Sequence, residues 1–76
     1  MGQDEARERI QKLLVTGDNR LKQGVETAKV RATYEQALAV ATEAGLGDTV
    51  RPLVEVRLAD LERLEAESPP PVPPAA

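Results

Sequence analysis

The chain has no cysteine, histidine, tryptophan or phenylalanine, and its 76 residues include one tyrosine. Without Cys no disulfide can form, and without Cys and His no ordinary zinc site can be built. The nucleophile–base sets of covalent catalysis cannot be assembled, because the only serine is Ser68, in a run of prolines. A di-metal carboxylate bundle would need Glu-x-x-His. The acidic and glycine residues between 18 and 26 lack the ligand spacing of an EF-hand. There is no Gly-rich phosphate loop. The reading is therefore of a protein that is not an enzyme and takes no cofactor or metal.

Other absences bound the setting. No apolar run approaches the roughly 20 residues that cross a bilayer. The opening MGQDEARERI is charged and lacks the apolar stretch of a secretory signal. Met1-Gly2 begins like a myristoylation motif, but Ala6 stands where Ser or Thr is required. The net charge is −3, with acidic and basic residues interspersed, which is no footprint for nucleic acid. The expectation is a cytoplasmic protein with neither nucleic-acid nor membrane partners.

What is present is material for short amphipathic helices. Ala6, Ile10, Leu13, Leu14, Gly17 and Leu21 fall on one face of a 3.6-residue helix, predicted over 4–23. Asp4 is the expected N-cap and Gly24 the stop. Gly17 lies on the apolar stripe. A mid-helix glycine costs about 1 kcal/mol relative to Ala, so its place there points to close approach by a neighbouring helix.

A second helix is predicted over 26–44, with Thr27 near its start and Gly45 at its end. Val30, Tyr34, Ala37 and Ala41 form its main stripe, and Tyr34 reads as core. Leu38 widens the stripe, and Ala28, Ala32, Ala39 and Val40 keep other faces small or apolar. Such a helix suits the middle of three, contacted on more than one side.

The short link at 46–48 sends a third helix back antiparallel, over 49–67. Proline belongs in the first turn, so the start can fall as late as Arg51 or Pro52. Val50, Leu53, Val54, Leu58, Leu61 and Leu64 give its apolar face, with Arg57 at the edge, and Arg51 and Glu55 are spaced to pair. The acidic end, Glu62, Glu65 and Glu67, opposes the helix dipole, so fraying is expected after Leu64. Residues 68–76, SPPPVPPAA, read as a flexible or polyproline tail. The organisation is an all-α domain over 1–67 followed by that tail.

The stretch from Leu13 to Leu38 resembles a tetratricopeptide repeat, whose pattern sets a large residue, a small crossing residue and a second-helix aromatic in order. Leu13, Gly17 and Tyr34 take those positions, with Ala37 and Leu38 following in TYEQALA. Thr16, Arg20 and Val30 depart from the pattern, and no proline ends the second helix. Leu58-Ala59-Asp60 echoes Thr16-Gly17-Asp18, which makes one and a half repeats. The length and the second-helix pattern are also similar to microtubule-interacting-and-transport domains. Either resemblance implies a three-helix bundle and a non-catalytic protein-interaction module, an adaptor or small assembly subunit, that holds a protein or peptide partner between helices one and three. The polar residues expected to line that groove are Asn19, Arg20, Gln23 and Arg57. The competing reading is a structural homo-oligomer. A core this poor in large side chains leaves apolar surface on helices two and three for a self-interface.

Overall fold

A computed structural model describes residues 2–67. They form three helices, α1 (Gln3–Lys22), α2 (Thr27–Glu43) and α3 (Gly47–Glu67). The expectations for residues 68–76 lie outside the described residues.

Both turns are made the same way. Gln23 and Ala44 end their helices, and the glycines that follow, Gly24 and Gly45, take φ of 76° and 75°. Residues with a Cβ rarely adopt that backbone. The turn folds the chain back onto the last carbonyls of the helix. Val25 N–H donates to Arg20 O (3.0 Å) and Gly24 N–H to Leu21 O (3.2 Å). Leu46 N–H donates to Ala41 O (2.7 Å) and Gly45 N–H to Thr42 O (3.2 Å). This is the Schellman pattern at both helix ends. In each case the next residue is apolar and turns into the core: Leu46 is buried and Val25 partly so. Successive helices thus run antiparallel, and α1 and α3 run parallel, each packed against α2.

The middle position of α2 follows. It packs against both neighbours, whereas α1 and α3 have little direct contact. The α2 core residues Val30, Tyr34, Ala37 and Ala41 are at most 1% exposed. Ile10 and Leu14 meet them from α1, and Val50, Val54 and Leu61 from α3. Ala28, Ala32 and Ala39, expected to widen the contacted faces, are exposed instead.

Three helix starts differ from expectation. Gly2, not Asp4, is the N-cap of α1, and Glu26, not Thr27, that of α2; neither makes a side-chain cap hydrogen bond. The third helix starts at Gly47, so Pro52 lies inside it. Buried Leu46 fixes that start, its carbonyl accepting from the N–H groups of Thr49 (3.1 Å) and Val50 (3.0 Å). Pro52 deprives only the carbonyl four residues back, at exposed Asp48, where water can replace the lost partner. At the other end the helix runs to Glu67, as predicted. Arg31 of α2 donates to Glu65 at 3.2 Å and ties down the acidic turn. Arg51 and Glu55 are not among the ion pairs of the described residues.

The close approach predicted at Gly17 is present. A Cβ built there would stand 2.5 Å from Cε1 and 2.9 Å from Cδ1 of Tyr34. The ring is 1% exposed and cannot swing aside without opening the core. Gly17→Ala therefore gains about 1 kcal/mol in helix propensity but incurs overpacking of about 1–3 kcal/mol. The expected outcome in urea unfolding is a net loss of up to about 2 kcal/mol, larger for Gly17→Val. An Ala variant more stable than the parent would overturn the close packing.

Candidate functional site

The residue after Gly17 links all three helices. Asp18 lies on the flank of α1 that faces α3. Its Oδ1 accepts a 2.5 Å hydrogen bond from the Tyr34 hydroxyl of α2. From α3, Arg57 donates through Nε to Oδ1 (3.3 Å) and through Nη2 to Oδ2 (3.4 Å). Arg57 Nη1 donates to Leu53 O one turn back (3.1 Å). The carboxylate and the guanidinium are each roughly one-third exposed, so their pair contributes about 1 kcal/mol or less. The buried phenol supplies the stronger bond, to a charged acceptor, worth about 1–2 kcal/mol.

Burial pushes the Tyr34 hydroxyl well above its ordinary pKa of 10.0; the hydrogen bond to Asp18 and that carboxylate's charge push it further, against the pull of Arg57. The neutral phenol is thus the form the fold stabilises.

Above this junction, towards the N-terminal ends of α1 and α3, the two parallel helices line a groove of about 370 Å³. Its floor is Ile10 and Leu14 from α1 and Val50 from α3, all buried. Its walls are Val15 and Leu53, which are 50% and 49% exposed. Arg7, Gln11 and Arg57 complete the lining. Arg7, Gln11 and Val15 follow one another at i, i+4 along α1, beside the Ile10–Leu14 edge.

Of the four residues read from the sequence as groove-lining, Arg57 lines it. Arg20 is two positions beyond Asp18, more than half a turn around α1, on the flank away from α3. There Nη1 donates to Thr33 Oγ1 (2.8 Å), and that hydroxyl donates to Lys29 O (3.0 Å). Arg20 is thus the partner of buried Thr33. Asn19 and Gln23 are exposed and outside the groove lining. Arg7, Gln11, Val15 and Leu53 also line the groove and were not among the residues read from the sequence. The available signal was the i, i+4 row flanking the α1 stripe, and the excess width of the α3 stripe, of which α2 can cover only part.

Compared with known protein families, curated proteins and solved structures, the chain matches none.

Tyr34 is the only tyrosine and there is no tryptophan, so ultraviolet titration reports this junction alone. In the native chain the tyrosinate band should be absent around pH 10 and rise only as helicity is lost; in denaturant it should rise near the ordinary value. The pKa is raised in the fold, so its stabilisation is complete below about pH 10 and is lost as pH climbs through the folded value. The stability advantage of the parent over Tyr34→Phe should be constant below that pH and shrink above it. Tyrosinate formation at the ordinary pKa in the intact fold would overturn this assignment.

Proposed function

We propose that the chain is a non-catalytic protein-interaction module, an adaptor or small assembly subunit, which holds a peptide segment in the groove between α1 and α3. One observation carries the proposal. Val15 and Leu53 stand half exposed on facing walls over an already buried apolar floor. A concave apolar strip with a few polar groups at its rim is the usual form of a peptide site. The parallel setting of α1 and α3 about α2, with a small residue at the α1–α2 crossing, supports a tetratricopeptide-like reading of the bundle. The same proposal sets the protein in the cytoplasm, which suits a chain without cysteine. No helix among the described residues is long and apolar enough to cross a membrane.

A second reading has its own observation. Val56 is 62% exposed and Leu64 40% exposed on α3, and neither lines the groove. They would serve as the self-interface of a homo-oligomer. Dilution separates the two readings. The interaction module should remain a helical monomer through low micromolar concentration, by sedimentation and circular dichroism. An obligate oligomer should lose helicity over that range.

The groove assignment has a direct test in affinity capture with the whole chain. The Val15→Glu/Leu53→Glu double variant should keep the parent's helicity, since both side chains are half exposed, and lose the parent's specific partner. Arg20→Glu, on the opposite flank, should retain it. Retention by the double variant together with loss in the Arg20 variant would reverse the assignment.

A further inference from the structure

We infer that the α1–α3 groove takes an acidic amphipathic peptide segment, its apolar side chains between Val15 and Leu53 and its carboxylates facing Arg7 and Arg57. The inference rests on the interaction reading above and adds the chemistry of the partner.

Three observations carry it. The first is the sign of the lining. In a chain with 13 acidic and 10 basic residues, the groove is lined by two guanidiniums and no carboxylate. Asp18 lies just beyond its lower end, and its polar contacts are with Tyr34 and Arg57. The second is the availability of the donors. Arg7 is exposed and forms no ion pair among the described residues. A guanidinium has five N–H donors, and Arg57 uses three, on Asp18 and Leu53 O, which leaves two for a further acceptor. A partner carboxylate can thus reach Arg57 while the Asp18 link that spans the helices stays in place.

The third is length. Arg7 to Val15 covers two turns, roughly 12 Å at 1.5 Å per residue. That matches two turns of a bound helix, or about four extended residues at 3.3 Å each. Apolar anchors at i and i+3 or i+4 on a helix would meet Val15 and Leu53, and the flanking positions would carry the acids. A basic segment would set like charges against both ends of the strip.

The test is selection from a random twelve-residue peptide display library on the whole immobilised chain, with enriched peptides synthesised and mapped by NMR. Enriched sequences should carry net negative charge and apolar residues at helical spacing. They should shift the amide signals of Gln11, Val15 and Leu53, and bind more weakly as salt rises. Arg7→Glu, a change at an exposed position that leaves the core intact, should weaken them about fivefold or more. Peptides that map to the groove but are neutral or basic, or are indifferent to Arg7→Glu, would overturn the charge inference and leave the groove reading standing. Failure to enrich any peptide that maps to the groove would overturn both.

Discussion

The bundle depends on one ring lying against one missing β-carbon. With no Phe and no Trp, Tyr34 is the only large flat side chain available, and α1 can approach it only at Gly17. That contact sets how closely α1 and α2 cross. It also aims the phenol out of the core toward Asp18, the next residue on α1. A buried hydroxyl without a partner would be costly. The ring's position and the acid's are therefore one requirement: the glycine admits the ring and the following carboxylate satisfies it. No buried side-chain polar atom among the described residues lacks a partner, so this small core carries no unsatisfied polar group to offset its few large side chains.

The same carboxylate also links α3 to α1. Few direct contacts hold α3 to α1. Its apolar packing is against α2, and its tie to α1 is Arg57 on Asp18. A guanidinium–carboxylate pair holds two helices farther apart than small apolar side chains would. Above it, Arg7 and Gln11 on one wall and Leu53 on the other do not interdigitate. The junction that completes the core thus also borders the groove, through Arg57.

Much of the fold was legible because its determinants are local. The three helices, the two glycine turns and the Gly17–Tyr34 crossing follow from periodicity, positive-φ positions and a glycine on an apolar stripe. Helix starts were less legible. Proline rules placed the third helix too late, because they do not register that buried Leu46 begins it and that solvent can satisfy the exposed carbonyl which Pro52 leaves free. The site was least legible. Arg20 and Arg57 are both polar residues at stripe edges, and nothing local distinguishes them. Which flank of α1 faces α3 is decided by the hand with which the third helix returns across α2. Once that is set, Arg57 falls in the groove and Arg20 falls to Thr33 on the far flank.

The placement of the alanines bears on why a groove survives at all. A three-helix bundle could close further if α3 slid toward α1, covering Val15 and Leu53 with each other. The side of α2 would have to follow, and its contacts there are already complete: Val30, Ala37, Ala41 and Val54 are fully or nearly fully buried. Arg31 meets Glu65 across the exposed far end of α2 and α3, and the Leu46 turn joins their near ends. With the core face of α3 packed on α2, closing the groove would sacrifice packed core for surface contact. About 25 cal/mol is gained per Å² of apolar surface covered, whereas opening a packed core costs both transfer and cavity terms. The exposed faces of Val15 and Leu53 are therefore the lesser cost within the chain.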